Sequence, residues 1–199
     1  MGKRKVVSLP VIPLPCLVDT NVVVTANGNS EDCNPQADGD QVEICIQALL
    51  EITNASGVVL VLDDGGLIFE EYWGRKPTTG RRALSLGGQP GTGDMFFKWI
   101  FDNQYNPSCC ERRLIHCTDE INQTFEEFPD IPELTDFDLS DRKFAAVANA
   151  GTPKRPILEF GDSKWWKWKS GLAKAGINVV FLTNYAELKN KEKNPDKSK

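Results

Sequence analysis

The chain has 199 residues and a formal net charge of −5, which suits one domain large enough for a sizeable core. Its 40% hydrophobic and 26% charged content is that of an ordinary soluble globular protein, and its acidic balance argues against broad nonspecific binding to polyanions or anionic membranes. No run approaches the roughly 18 apolar residues of a membrane span. The basic start Met1-Gly2-Lys3-Arg4-Lys5 leads into a stretch broken by Pro10, Pro13 and Pro15, so no secretory leader is expected. Val6 stands where N-myristoylation needs Ser or Thr. The six cysteines, Cys16, Cys33, Cys45, Cys109, Cys110 and Cys117, are therefore expected as reduced thiols in a cytoplasmic protein. His116 is the only histidine, which excludes any metal site that needs two.

In chain order, residues 14–18 read as a short buried strand ending at Asp19, and Thr20 or Asn21 can cap a helix running to about Ala26. Residues 27–40 are polar and turn-rich. Gln41 to Thr53 has helical spacing, with Val42, Cys45, Ile46, Leu49 and Leu50 on one side. Val58-Val59-Leu60-Val61-Leu62 is the clearest buried strand, closed by Asp63-Asp64-Gly65-Gly66 and followed by a helix through Tyr72. Residues 74–93 form a long loop rich in Gly, Pro and Arg, and a helix is predicted from Asp94 to Gln104. Leu114-Ile115-His116-Cys117 reads as a third strand, and an acidic connection with Pro129 and Pro132 leads to a helix from Ser140 to Ala150. Ile157 to Phe160 is a fourth strand, Ser163 to Lys174 a helix, and Asn178 to Leu182 a fifth strand. The expected division is an N-terminal extension over 1–13, a domain over 14–185 and a lysine-rich, disordered tail over 186–199. Alternating strands and helices predict a three-layer α/β/α fold around a five-stranded parallel sheet.

Single acids stand where apolar strands end or helices begin: Asp19, Glu71, Asp141 and Asp162. A parallel sheet gathers such positions at the carboxyl ends of its strands, where ligands bind. Four carboxylates repel one another in a small cleft unless a positive charge joins them, and a divalent cation with oxygen ligands meets that need. Metal-assisted phosphodiester chemistry is the expectation. Asp19, Asp141 and Asp162 also have a purely structural reading as helix caps. On a helical wheel Glu71 falls on the inward arc set by Leu67, Ile68 and Tyr72, whereas Glu70 lies outside it. Asp141 falls between Phe144, Ala145 and Ala148, with Arg142 and Lys143 pointing elsewhere.

Leu-Val-Asp-Thr-Asn-Val at 17–22, Leu-Ile-Phe-Glu-Glu-Tyr at 67–72, Ser-Asp-Arg-Lys-Phe-Ala-Ala-Val-Ala at 140–148 and Gly-Asp-Ser-Lys-Trp at 161–165 together resemble PIN domains in order and context. The resemblance covers roughly residues 14–183. It implies a PIN-like five-stranded sheet and a carboxylate cluster binding Mg²⁺ or Mn²⁺. It also implies endonucleolytic cleavage of RNA, less often of DNA. Asp19, Glu71, Asp141 and Asp162 take the catalytic and metal-binding roles, with Thr20 or Asn21 in support near the metal-bound water. A protein inhibitor or assembly partner is compatible with it, and no membrane partner is implied. The long segment between Glu71 and Asp141 sets the chain apart from the small PIN toxins. A structure-specific DNA nuclease and an inactive PIN-like binding module are the alternatives.

Other features carry less. Gly87 to Asp94 lacks the Gly-Lys-Ser/Thr ending of a phosphate loop. Arg75, Lys76, Arg81 and Arg82 beside it are candidate phosphate contacts, or a solvated loop. Cys109, Cys110, His116 and Cys117 have the wrong spacing for zinc. Trp165 and Trp168 share a core-facing helical side, whereas Trp166 stays open as a stacking residue. Asp63-Asp64 invites a phosphoacceptor reading, and Asp19-Thr20-Asn21 lacks the second carboxylate of an Asp-x-Asp motif.

Overall fold

The computed structural model describes residues 9–28, 37–74 and 90–183. They form a mixed α/β fold with strands β1 (Leu17–Val18), β2 (Leu60–Asp63), β3 (Cys110–Arg113), β4 (Cys117–Asp119), β5 (Thr124–Phe125), β6 (Ile157–Glu159) and β7 (Val179–Phe181). The helices are α1 (Thr20–Thr25), α2 (Gly39–Asn54), α3 (Leu67–Trp73), α4 (Thr92–Asn103), α5 (Arg142–Asn149) and α6 (Ser163–Lys174). The Arg- and Lys-bearing segment with Arg75, Lys76, Arg81 and Arg82, the 186–199 tail and Cys33 lie outside the described residues.

The strands do not build the single five-stranded sheet expected. β1, β6 and β7 form a parallel three-stranded sheet in the order β1-β6-β7, β2 and β3 form a separate parallel pair, and β4 and β5 an antiparallel pair. A single parallel bridge, Cys16 to Leu60, links the first two, through Cys16 N–H to Val59 O at 3.2 Å and Val61 N–H to Cys16 O at 2.9 Å. β1 has only two residues before Asp19 turns the chain into α1, so the ladder cannot extend.

The two mostly apolar strands, β2 and β6, overlap the stretches where they were expected. Every residue of β2 and β6 is buried, and Leu17, Leu60, Leu62, Ile157 and Leu158 meet Tyr72, Phe96, Phe144 and Trp165 from the helices. α2 is held at its start by Asp38 and Gln41 in a reciprocal cap, and it buries Ile44, Cys45, Ala48, Leu49 and Ile52. The face is rotated from the predicted one. Leu50 is 43% exposed, because Ala48 and Ile52 extend the 44, 48, 52 row that packs inward. Ile12 is buried in the core, so the packed body begins inside the predicted N-terminal extension.

The third strand was misplaced. It is Cys110–Arg113, not Leu114 to Cys117, and Leu114 is 58% exposed. Only Cys110 among its residues is apolar, so hydrophobic patterning cannot find it. Its charges are satisfied by groups distant in sequence. His116 belongs to no strand and Cys117 opens β4, so the expected alternation of these two across one strand does not apply. The β4–β5 hairpin falls where an irregular acidic connection was expected.

Candidate active site

Four of the predicted residues approach one another at the carboxyl ends of β1 and β6. β1 hands over directly to Asp19, which is 2% exposed and caps α1 by accepting a hydrogen bond from Asn21 N–H at 3.0 Å. Asp19 thus takes the capping role that was open to Thr20 or Asn21. Thr20 Oγ1 is free to donate to Glu71 Oε1 at 2.6 Å. The neighbouring Tyr72 hydroxyl donates to Val18 O and ties α3 to the end of β1. Glu71 is largely buried on the inner side of α3 and Glu70 is exposed, as the wheel placed them.

Asp141 is not part of α5. It ends a 3-10 turn, Leu139–Asp141, and occupies the position before α5 with no side-chain capping hydrogen bond. The wheel drawn through it from Ser140 therefore does not apply to Asp141, and it fails for Lys143 because every residue from Lys143 to Ala148 is buried. Lys143 does not point elsewhere: it is 7% exposed, its ammonium is ion-paired with Glu71 Oε2, and it donates to Ser140 O. Asp162 caps α6 by accepting from Lys164 N–H at 2.7 Å. The capping reading thus describes Asp19 and Asp162 and does not describe Asp141.

Sequence reasoning missed three members of this neighbourhood. Glu159, the last residue of β6, is fully buried; Oε1 accepts from Asp162 N–H at 2.7 Å and Oε2 has no hydrogen-bond partner. A charged residue inside Ile157-Leu158-Glu159-Phe160 was the available signal. Asp138 accepts from Ser140 N–H at 3.1 Å and from Lys164 Nζ at 2.5 Å, a cap legible in Asp138-Leu139-Ser140. Lys143 left no signal, since α5 is buried all round from Lys143 to Ala148.

The charges feel one another. Burial pushes the Asp19 carboxyl well above its usual range, and Asp141, Glu71 and Asp162 push it further, against the single Asn21 N–H. Asp141 is pushed up to about 6 by burial, then by Asp138 and Glu71, with Lys143 opposing. Glu159 is raised by burial and by Asp19. Asp138 departs in the other direction, held low by the Lys164 hydrogen bond. The arrangement can concentrate negative charge and attract a hard cation; oxygen-only donors of this kind suit Mg²⁺ or Mn²⁺ better than zinc.

Among the described residues, the trio of potential ligand side chains with donor atoms all within 4.8 Å is His116, Glu126 and Glu127. No three of the four acids come within that distance of one another. In the trio His116 Nδ1 is engaged with Glu127 Oε1 at 2.6 Å, an exposed pair that raises the histidine pKa. No cysteine joins it. Asp63 is buried and turned to the backbone: its carboxylate accepts from Leu67 N–H at 2.7 Å and Ile68 N–H at 2.9 Å, and so caps α3. Gly93 and Gly91 serve packing, since a Cβ would lie 2.1 Å from Val23 O at the first and 2.4 Å from Asn27 Oδ1 at the second. Trp165 and Trp168 are buried, and Trp166 stacks edgewise on Phe181 at 4.9 Å. The described helices include none long and apolar enough to cross a membrane. Comparison with known proteins finds no matching family model, no similar curated protein and no similar solved structure.

Proposed function

We propose that the chain is a PIN-like, metal-dependent endoribonuclease of the cytoplasm, with RNA as its partner and Mg²⁺ or Mn²⁺ as its cofactor. One observation supports this most. Asp19 and Glu159 are buried carboxyls and Asp141 a half-buried one, and the proton affinities of all three are raised by burial and by neighbouring carboxylates, Glu71 and Asp162 among them. Such an arrangement costs stability and is what a cation-binding centre requires. The reading also takes the parallel sets β3-β2 and β1-β6-β7, joined at the Cys16–Leu60 bridge, as a short-stranded version of the PIN-like sheet.

The donors fit a hard divalent cation. All are carboxylates, and Glu159 Oε2 is buried without a partner beside them. Asp19, Asp141 and Asp162 would hold the cation, with Glu71 completing the set. When bound, the cation screens charge developing on a phosphate and makes a water more nucleophilic. The rest falls to the chain. Thr20 orients Glu71. Glu159 fixes the backbone at Asp162, which sets where that carboxylate starts. The burial of Asp19 beneath α1 lowers the local dielectric and strengthens its pull on any cation.

The Lys143–Glu71 pair supports a second reading: if no cation displaces it, the chain is an inactive PIN-like binding module. A structure-specific DNA nuclease on the same scaffold is distinguished by substrate alone. The test is incubation of labelled single-stranded RNA and of single-stranded and branched DNA with Mn²⁺, Mg²⁺ or EDTA. Internal cuts in RNA that EDTA abolishes are expected. Cuts confined to DNA would transfer the activity to the alternative, and intact RNA and DNA under all conditions would leave the binding module.

A further inference from the structure

Lys143 is a buried cation that neither the sequence pattern nor helix geometry explains. Its side chain has 8% of its surface exposed, and an ammonium so far from water is costly unless it is paired. It is the second residue of α5, whose N-terminal end carries the positive pole of the helix dipole and disfavours a cation. The compensation comes from the Glu71 carboxylate and the Ser140 carbonyl, and Lys143 is the group that opposes the rise of the Asp141 pKa. Glu71 is in turn fully engaged, with Oε1 accepting from Thr20 and Oε2 paired with Lys143.

We propose that Lys143 is the resident counter-ion of the acidic cleft, so that a divalent cation taking Glu71 as ligand must take it from Lys143. This rests on the metal reading of the same site. With the ammonium in place the cation-free cleft carries one less net negative charge, which stabilises the folded chain and weakens divalent binding. Removing the ammonium does the reverse. A unit charge within a few ångströms of a divalent ion changes its affinity by at least about tenfold even at high effective dielectric.

The full chain is compared as wild type, Lys143→Met, Lys143→Arg, Glu71→Gln and the double variant Glu71→Gln/Lys143→Met. Two quantities are read: melting temperature without metal, and Mn²⁺ affinity from the electron paramagnetic resonance signal of free Mn²⁺. Lys143→Met is expected to melt lower without metal and to bind Mn²⁺ at least about tenfold more tightly. Lys143→Arg, which keeps the charge, is expected to bind Mn²⁺ as wild type does. The double variant is expected to lose less than the two single losses combined, because each single change leaves a buried charge alone. Unchanged or weaker Mn²⁺ binding by Lys143→Met overturns the proposal, as do additive losses in the melts. If Lys143→Met does not fold, recovery of folding in the double variant supports the proposal and failure to recover overturns it. Absence of Mn²⁺ binding by wild type ends the metal reading, and the coupling between the two substitutions then decides the counter-ion role by itself.

Discussion

At its first turn α5 faces Asp19, Glu71, Asp141 and Asp162, with Lys143 as the buried cation among them. At its last turn it meets Arg113, whose guanidinium donates to Val147 O at 3.4 Å, Ala148 O at 3.3 Å and Pro153 O at 2.7 Å. Arg113 Nε also pairs with Glu111 Oε1 at 2.6 Å, and Arg155 pairs with Glu111 Oε2 at 2.5 Å. Burial works against the charged form of Glu111, but Arg155 and Arg113 outweigh it and hold the carboxyl below its usual range. A cation at a helix C-terminus satisfies carbonyls that have no helical partner and complements the dipole. At the other end, carboxyls are driven up by burial and by one another. Stability accounts for the arrangement around Arg113. It does not account for the acidic cluster, where burial and repulsion raise the carboxyls, and this is the observation on which the proposed function rests.

The largest effect is expected on the balanced side. Arg113→Ala leaves Glu111 to Arg155 alone and uncovers the Val147, Ala148 and Pro153 carbonyls, and should cost about 3 kcal/mol in urea denaturation. A loss under about 1 kcal/mol would mean that the cluster is no more than a surface ion pair. On the other side Asp19→Asn should leave folding intact and reduce RNA cleavage at least about 100-fold, the scale of losing one electrostatic contributor at a reacting phosphate. Near-normal cleavage by that variant would return Asp19 to a helix cap.

The pH response sharpens the contrast. Asp141 binds its proton more tightly folded than unfolded, with its pKa pushed up to about 6. Its destabilising effect is therefore present above about 6 and relieved as pH falls toward the unfolded value near 4. Between pH 7 and pH 5 this contributes roughly 1 kcal/mol of added stability to the cation-free protein. His116, raised by Glu127, adds in the same direction. Denaturation of wild type and Asp141→Asn at both pH values separates them, because the variant should show a smaller gain. An equal gain would remove Asp141 from the account of the cleft. The smallest effect is that of Glu70→Gln, an exposed neighbour whose loss should change cleavage and stability little, within about 0.5 kcal/mol. Glu71→Gln should impair cleavage severely, and equal effects of the two would show that the inner face of α3 does not matter.

The same contrast separates what the sequence disclosed from what it did not. Val58 to Leu62 is an apolar run, and Ile157 to Phe160 is one but for Glu159; they yielded β2 and β6 with the acids that follow. β3 stayed hidden because Arg113 is buried through carbonyls 34 to 40 residues away, which no local pattern reports. Glu71 could be oriented by helical periodicity because α3 is regular around it. Lys143 could not, because α5 is buried all round from Lys143 to Ala148 and has no solvent-facing side there to set the wheel. The sheet was overdrawn for a related reason: β1 has two residues, too few to pair along β2 beyond one bridge.

The central claim is that the carboxylates around Asp141 repel one another in a way that a divalent cation relieves. Thermal melting of wild type and Asp141→Asn, each with and without Mn²⁺, tests it most directly. Without metal the variant should melt at or above the wild-type temperature, because the substitution removes repulsion and no capping hydrogen bond is lost. With Mn²⁺ the wild type should rise and the variant rise less, since a ligand stabilises only through its affinity for the folded state. A variant that melts lower without metal and gains as much from Mn²⁺ as the wild type would contradict the account.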